Sequence, residues 1–569
     1  MRLAVRGNSP LRFAKLAAAV WLALAATSGN AAADDFRTPG ITVARVEWRT
    51  VLDQIKSEIR AWPNIAERFT FNGRRLLPPS DPRTMPALMQ LNAVTLPIFA
   101  GINQSPVPVL LPFDTGMYLS AHASGAPESL TLSHYQAGFQ PAEVFSAGLS
   151  GYDAEFALLP GTGDMPQLTY AKPVEVQITG SILTYDIDDP TNGKGEPVRA
   201  LAAQFPDLHR TIREGYVRYA FTRFGVPYVV SIQCLDSVPR PKRLACREAS
   251  VVAERFLKAL RVAGGRPSRT RMNIAPDLMP RPETPSPDFT YRPPGDIITN
   301  SGYRGQGGRP DWTVYSQIRF PIEQAPAYAN SQSFLNWGDC FHRGRIPPPH
   351  AKGASYHCKS SNKPLVFDES ATENYSYPWQ DNFCEARDFN VGQCPAGSGH
   401  QGQDIRPATC TLRNDGADRC IPNRYAVVAV RDGVIIRSPK QQAVTLLVNT
   451  RNEHVRFRYM HMNPAQLDED GVLNDRRVSE GEKIGVVSNY MDYPGGTTAH
   501  LHFDVQVFTR DGWLWVNPYV TLISAYERLI GGRGREVTSA PETTQSKPQP
   551  QDPTHPEKPA EGGGGENDN

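Results

Sequence analysis

The stretch TTAHLHFDVQV (residues 497–507) carries two patterns at once. Apolar residues alternate from Leu501 onward, which predicts a strand with one buried face, because successive side chains of a strand point to opposite sides. His500 and His502 then share the other face. Two neighbouring imidazoles suit metal binding and proton transfer better than a hydrophobic core. The stretch therefore predicts a functional site on the face of a sheet.

A second motif lies about a hundred residues earlier, in GSGHQGQDIRP (residues 397–407). It places His400 and Asp404 four residues apart, with glycines beside and between them. Catalytic zinc sites use three protein ligands and leave one position for water. His400, Asp404 and one histidine of the HLH pair would form such a set, and the other histidine would handle protons. A third motif, FRYMHMN (residues 457–463), places His461 at the end of another strand-like run.

Three motifs, taken in order, resemble the M23 family of LytM- and lysostaphin-like zinc peptidases. They are HxGxD at residues 400–404, YxH at residues 459–461 and HLHF at residues 500–503. Two intervening stretches, AVVAVRDGVII and VSEGEKIGVVSN, also resemble the strands and turn of that family. The resemblance covers about a quarter of the chain, roughly residues 377–518. It implies a mainly-β, LytM-like antiparallel sheet domain with its site in a groove between loops.

The resemblance also implies a role for each histidine and aspartate. His400, Asp404 and His502 would bind Zn²⁺, and His500 would be the catalytic histidine beside the metal-bound water. His461 would be the second active-site histidine. In its protonated form, His461 would help to stabilise the oxyanion that develops during the reaction. The implied reaction is hydrolysis of peptide bonds of peptidoglycan, in cross-links or stem peptides, by a zinc-activated water.

Three departures from the family pattern affect the loops around the groove. An insertion, ATCTLRNDGADRCIPN (residues 408–423), follows the first motif, and a cysteine-bearing segment, CEARDFNVGQC (residues 384–394), precedes it. The loop NYMDYPGGTTA (residues 489–499) before HLHF is the third. Two alternative functions also remain. One is a non-enzymatic regulator of cell-wall hydrolases that uses the groove for binding. The other is a secreted protease with an N-terminal pro-region. The complete set of five site residues favours the enzyme on peptidoglycan.

The first 33 residues have the layout of a secretory signal peptide. A basic head precedes the apolar run LAAAVWLALAA (residues 16–26), and small residues suitable for cleavage follow it. No other segment is expected to cross a membrane, so the mature chain is predicted to have no transmembrane segment. We expect an exported protein, in the periplasm or, as the alternative, secreted. The eight cysteines of an exported chain predict disulfides, with sequential pairing as the simplest arrangement.

The chain is predicted to be multidomain. Residues 34–265 form an N-terminal α+β domain of unassigned fold, accessory or inhibitory in role. In its last part we expect a helix over residues 247–265, closed by Gly264 and Gly265, and a disulfide between Cys234 and Cys246. A proline-rich linker follows at residues 266–310. The M23-like peptidase domain occupies residues 311–530, and residues 531–569 form a disordered tail.

Composition limits the partners. The formal net charge is only +2, so the composition shows no sign of nucleic-acid binding, and no nucleic-acid partner is expected. The expected partner is peptidoglycan, and the first domain is a candidate for contacting another envelope protein.

Two further motifs each have two readings. The loop containing Asp114 resembles that of an aspartic protease, but without a second such loop a turn after a strand is preferred. The Cys/His cluster at residues 340–358 suggests a second zinc site or a disulfide, and the disulfide is preferred.

Overall fold

The computed structural model describes the chain in segments. The longer ones are residues 41–60, 86–124, 131–161, 170–187, 195–213, 215–234, 243–267, 312–324, 400–407, 422–491 and 493–530, with short strands and the single residue Phe383 between them. The predicted signal peptide, the disordered tail and the cysteines at positions 384, 394, 410 and 420 lie outside the described residues. In the part of the chain that is described, no helix is both long and apolar enough to cross a membrane.

The described α-helices are few and mostly short. They are α1 (Trp48–Arg60), α2 (Ala87–Thr95), α3 (Thr115–Ala123), α4 (Ala249–Ala259), α5 (Pro464–Glu469) and α6 (Tyr519–Ile530). Helix α3 begins directly after Asp114, whose carboxylate accepts a hydrogen bond from the backbone N–H of Met117 at 2.8 Å. Asp114 is therefore an N-cap. The turn preferred for this loop is confirmed, and the loop leads into a helix.

The strands described in the first region are all paired antiparallel. They are β1 (Ile41–Val43), β2 (Thr70–Phe71), β3 (Arg74–Arg75), β4 (Val109–Leu111), β5 (Gln140–Ala147), β6 (Gly151–Leu158), β7 (Val174–Ser181), β8 (Leu183–Tyr185), β9 (Glu196–Pro197), β10 (His209–Arg213), β11 (Tyr216–Arg223), β12 (Val226–Gln233) and β13 (Arg261–Gly264). Seven of them form one antiparallel sheet in the order β5-β6-β7-β12-β11-β10-β9. Helix α4 packs its face containing Val252 and Phe256 into the hydrophobic core beneath this sheet.

The end of the first region differs in part from the sequence prediction. Cys234 and Cys246 form the expected disulfide, which joins the end of β12 to the short turn that precedes α4. The prediction of a helix as far as Gly264 and Gly265 is wrong, because α4 ends at Ala259. The backbone adopts an extended conformation at Leu260 (ψ 125°), and the following strand β13 pairs with the buried strand β4. Tertiary strand pairing overrides the helical pattern here.

The second region continues the β structure. Its strands, with one from the predicted linker, are β14 (Ile297–Thr299), β15 (Trp312–Val314), β16 (Ala327–Ala329), β17 (Cys340–His342), β18 (Tyr356–Ser360), β19 (Lys363–Pro364), β20 (Gln403–Pro407), β21 (Ala426–Val428), β22 (Gly433–Ile436), β23 (Val444–Asn449), β24 (His454–Met460), β25 (Arg477–Val478), β26 (Lys483–Val486), β27 (Tyr490–Met491), β28 (Tyr493–Pro494), β29 (Leu501–Thr509) and β30 (Gly512–Val516). Strand β14 pairs with β15, and in β17 and β18 the residues Cys340 and Cys358 stand directly opposite each other.

An eight-stranded sheet organises this second region. Its order is β16-β20-β29-β24-β23-β22-β25, and β30 pairs with the second half of β29. All its pairs are antiparallel, as predicted for this region. One face buries Leu501, Phe503 and Phe457 in a hydrophobic core. Because side chains alternate along a strand, the even-numbered residues of β24 and β29 lie on the opposite face.

The two sheets meet on that opposite face. Ala220 and Val229 of the seven-stranded sheet form a small buried cluster with Phe508 and Trp513. Around it lies a network of five polar side chains, all buried except the partly exposed Gln177: Asp153, Gln177, Thr179, His454 and Arg456. Their contacts include two ion pairs of Asp153, one with His454 at 2.7 Å and one with Arg456 at 2.6 Å. Thr179 donates a hydrogen bond to the same carboxylate at 2.7 Å. The first region is thus a second layer over the sheet, in direct contact with it.

Candidate metal centre

The strand order brings the sequence motifs together. Strand β29 lies between β20 and β24, and Asp404 of β20 stands directly opposite His502 of β29. On the other side of β29, Met460 of β24 is paired with His502, so His461 follows at the end of that strand. His400 lies three residues before the start of β20. Residues separated by about a hundred positions therefore converge on one end of the polar face.

Three side chains converge closely enough to hold one metal ion. Nε2 of His400 lies 2.7 Å from Nδ1 of His502 and 3.0 Å from Oδ1 of Asp404. Nδ1 of His502 lies 3.2 Å from the same carboxylate oxygen. All three residues are buried, and within the described residues they form a group whose donor atoms lie within 4.8 Å of one another.

The donor set fits zinc. Imidazole nitrogen and carboxylate oxygen are ordinary zinc ligands, and two bonds of about 2.1 Å in a tetrahedral site place neighbouring donors roughly 3.4 Å apart. The three separations here are close to that spacing. The two imidazole nitrogens and the carboxylate oxygen face one another in the buried interior, so a cation among them would meet three donors of the type that zinc binds.

The charges in this cluster are strongly coupled. Burial raises the pKa of Asp404, but the positive charges of His400 and His500, with the close contact of His400, outweigh burial and hold the pKa well below its usual range. For His502 the balance runs the other way. Burial lowers its pKa, whereas hydrogen bonds to Asp404 and Asp504 raise it to about 9. In the metal-free protein the carboxylate thus attracts a positive charge to the centre.

His500 lies beside the three candidate ligands. Its Nε2 is 3.4 Å from Oδ1 of Asp404 and, within the described residues, has no hydrogen-bond partner. Its Nδ1 lies 2.6 Å from the backbone carbonyl oxygen of Thr498. Because a carbonyl only accepts, Nδ1 carries the hydrogen and the lone pair sits on Nε2. The imidazole is thereby oriented as a base toward the cluster.

His461 completes the group from the end of β24. Its ring centroid lies 4.7 Å from that of His500, and its Nδ1 lies 3.1 Å from the carbonyl oxygen of Tyr490. The backbone takes the left-handed conformation (φ 68°), which is uncommon for a residue with a side chain. Burial, followed by the charges of His500 and His502, lowers the pKa of His461 well below its usual range. These causes disfavour the protonated form expected from the sequence, so a neutral His461 presents an acceptor nitrogen.

Gly402 explains the glycine between His400 and Asp404. A Cβ atom at this position would lie 2.6 Å from the backbone oxygen of Phe503 and 2.8 Å from Nε2 of His502. The sequence suggested that glycine serves a sharp turn here. Its role in the structure is close packing, because the backbone of the first motif lies directly against the imidazole of His502.

Arg406 was not predicted as a site residue from the sequence. This buried side chain lies two residues after Asp404 on β20. It donates hydrogen bonds to the carbonyl oxygen of Ala499 at 3.0 Å and to Oγ1 of Thr498 at 2.9 Å. It therefore fixes the segment that carries His500. A basic residue two positions after a predicted ligand on a strand was the available signal, because such residues share a face.

Asp504 and Arg458 were also missed. Asp504 lies two residues after His502, with Oδ2 at 3.3 Å from Nε2 of His502. Nε of Arg458, directly across on β24, lies 2.6 Å from the same oxygen. Burial raises the pKa of Asp504, but the charge of Arg458 and the hydrogen bond with His502 lower it below its usual value overall.

The loop expected to border the groove forms a short hairpin from β27 and β28. The backbone N–H of Tyr490 donates to the carbonyl oxygen of His461 at 3.3 Å, and Ser488 forms a bridge with His500. The hairpin is therefore attached to both non-ligand histidines. Tyr493 of the same hairpin is 63% exposed, so its aromatic ring faces solvent.

No protein-family model matches this chain, and no curated protein matches it. One structural neighbour is a LytM-type endopeptidase. It is the crystal structure of a provisionally named glycyl-glycine endopeptidase LytM from Ruminococcus gnavus ATCC 29149, and it is 21% identical with a TM-score of 0.17. The match covers 24% of this chain and 50% of that one, so this chain spans half the length of its neighbour. A likeness at this identity and TM-score does not establish the function of this chain.

Proposed function

We propose that this protein is a zinc metalloendopeptidase that hydrolyses peptide bonds of peptidoglycan, in cross-links or stem peptides. The observation that carries the proposal is the convergence of His400, Asp404 and His502, whose donor atoms lie within 4.8 Å of one another. The basic nitrogen of His500 lies beside them, 3.4 Å from Asp404. Two histidines and one carboxylate, with a further histidine close by, form a donor set suited to metal-assisted hydrolysis.

In the proposed hydrolysis, the residues around the metal centre have different roles. When bound, zinc supplies a Lewis acid that polarises the scissile carbonyl and acidifies the attacking water. Nε2 of His500 takes the proton of that water and later delivers it to the leaving amine, while its Nδ1–H stays bonded to Thr498. Nε2 of His461 is an acceptor that orients a hydrogen of the water or of the substrate. Arg406 holds the His500 segment in place.

The substrate class rests on the resemblance of the three motifs to M23 peptidases and on the predicted signal peptide. Peptidoglycan is the proposed partner, in the periplasm or outside the cell, and another envelope protein is a candidate partner of the first region. The hairpin of β27 and β28, which contacts His461, presents the exposed Tyr493 as an apolar surface that could contact a peptidoglycan peptide.

The arrangement of the two sheets bears on the role of the first region. A removable pro-region would leave His454, Arg456 and Trp513 exposed on the sheet that carries the centre. These side chains are buried against the first region, and Arg456 lies over the ring of Trp513 at 4.1 Å. We therefore propose that the first region remains part of the active protein.

The test is digestion of purified peptidoglycan by the zinc-loaded protein, with the products read by mass spectrometry. New peptide ends are expected from the wild type and should be absent after chelator treatment and in His500→Ala. If zinc-loaded wild type releases no new ends, the proposed endopeptidase is wrong, and binding of intact peptidoglycan would then favour the regulator.

A further inference from the structure

The polar face of β29 continues beyond His502. His502 and Asp504 are two residues apart on this face, and Arg458 of β24 stands directly opposite Asp504. Oδ2 of Asp504 lies between the two partners, 3.3 Å from Nε2 of His502 and 2.6 Å from Nε of Arg458. The Asp504 side chain is fully buried, at 0% exposure. A buried carboxylate thus joins a candidate metal ligand to a fixed guanidinium.

This contact decides which nitrogen of His502 faces the metal centre. The carboxylate of Asp504, paired with Arg458, accepts the hydrogen of Nε2. Nδ1 is then left to face His400 and Asp404, at 2.7 and 3.2 Å. Metal-binding histidines are commonly oriented through their second nitrogen in this way, and losing the outer partner typically weakens metal binding about 10–100-fold.

The contacts that hold Arg458 extend to the first region of the chain. The guanidinium of Arg458 lies 5.7 Å from the ring centroid of Trp515, and that of Arg218, from β11, lies 4.4 Å from the same ring. Arg218 also donates a hydrogen bond to the backbone oxygen of Trp513. The indole of Trp515, close to both guanidinium groups, links the seven-stranded sheet to Arg458, the residue that holds Asp504.

We propose that Asp504 is a positioning residue that orients His502 for metal binding, held in place by Arg458 and, through Trp515, by Arg218 of the first region. This proposal rests on the proposed metal centre and assigns part of its support to the N-terminal sheet. The first region then acts as a structural part of the metal centre.

The experiment measures zinc affinity in the full chain by competition with a chromophoric chelator, and records the visible absorption of the Co²⁺-substituted protein. Asp504→Asn is expected to weaken zinc binding about 10–100-fold and to change the Co²⁺ spectrum. Asp504→Glu, which keeps the carboxylate, should recover part of the affinity. Arg218→Met, which keeps the apolar stem on Trp515, should weaken binding by a smaller factor.

The matched control is Asp468→Asn. Asp468 pairs with the buried Arg437 at 2.7 Å in the same region, without contact to the centre, so its loss should leave zinc affinity and the Co²⁺ spectrum unchanged. Wild-type affinity and spectrum in Asp504→Asn would overturn the positioning role. An unchanged affinity in Arg218→Met would overturn the extension to the first region. A wild type that takes up no zinc would instead refute the proposed metal centre itself.

Discussion

Ring-nitrogen contacts separate His500 from the three candidate ligands. His400 and His502 direct nitrogens at each other and at Asp404, whereas His500 is bonded through Nδ1 to a carbonyl and leaves Nε2 without a hydrogen-bond partner within the described residues. A group that donates to a carbonyl and exposes a lone pair suits proton transfer. The same strand thus carries two histidines whose proposed roles differ because their neighbours differ.

His500→Ala should separate chemistry from metal binding. We expect peptidoglycan hydrolysis to fall about 10²–10⁴-fold, because the general base is lost, while zinc content stays at the wild-type level. His400→Ala should lose both activity and zinc. Product release measured by mass spectrometry, with zinc content by atomic emission, checks this. Loss of zinc from His500→Ala would show that His500 is itself a ligand.

Gly402→Ala should weaken zinc binding. The new Cβ would meet Nε2 of His502 at 2.8 Å and the backbone of Phe503 at 2.6 Å, so the imidazole or the strand has to shift. Such overpacking typically costs about 1–3 kcal/mol. Gly433→Ala is the steric control, because its Cβ would meet Leu447 at 2.5 Å in another part of the sheet. If both variants bind zinc equally well, Gly402 has no specific role at the centre.

At the scale of elements, helix α3 depends on its N-cap, Asp114. Asp114→Ala removes the bond to the N–H of Met117 and should lower the free energy of unfolding by about 0.5–2 kcal/mol. Hydrolysis should not change, because Asp114 caps a helix. Asp114→Ser, which can still cap, should retain most of the stability in thermal melting. Loss of hydrolysis in both folded variants would revive a catalytic role for Asp114.

Local patterns made part of this architecture predictable. Alternation identified β29 and placed His500 and His502 opposite the core, because a strand repeats every two residues. The same rule says nothing about which strand lies alongside, so the pairing of Asp504 with Arg458, 46 positions apart, was invisible. The end of α4 was misjudged for the same reason, since β13 pairs with β4, a strand far earlier in the chain. The roles implied by the M23 resemblance stay predictions.

At the scale of the molecule, the interface between the two sheets is held by buried charge. Asp153 contacts both His454 and Arg456, and it is 2% exposed. Breaking such a network on one side leaves a buried charge without its partner, which typically costs about 3–5 kcal/mol. The contact therefore holds the layers together only as long as the carboxylate is ionised.

Stability should fall in acid through Asp153. Burial raises its pKa, but the charges of His454 and Arg456 outweigh burial and place the pKa well below its usual value. When the pKa of a carboxyl group is lower in the folded than in the unfolded state, the group stabilises the protein at pH values above its unfolded-state pKa of about 4. This stabilisation is lost as the pH falls through the folded-state pKa. Asp153→Asn should be less stable at pH 7 and less sensitive to acid.

Denaturant unfolding at pH 7 and pH 3 measures this, with Asp53→Asn as control. Asp53 pairs with Lys56 on an exposed helix face, with side chains 66% and 57% exposed, so that variant should follow the wild type at both pH values. Parallel acid curves for wild type and Asp153→Asn would mean that another group sets the acid limit.

The interface also determines the order in which the molecule can be assembled. Asp153 and Arg456 are separated by 303 positions, whereas the strands from β5 to β12 lie close together in the chain and can pair soon after synthesis. Contacts between distant segments form late, because a long loop has to close first. The nascent second sheet is then expected to meet a finished surface bearing the complementary carboxylate. The first sheet would then already be folded when the second sheet forms. It would cover the charged face of the second sheet while that sheet folds.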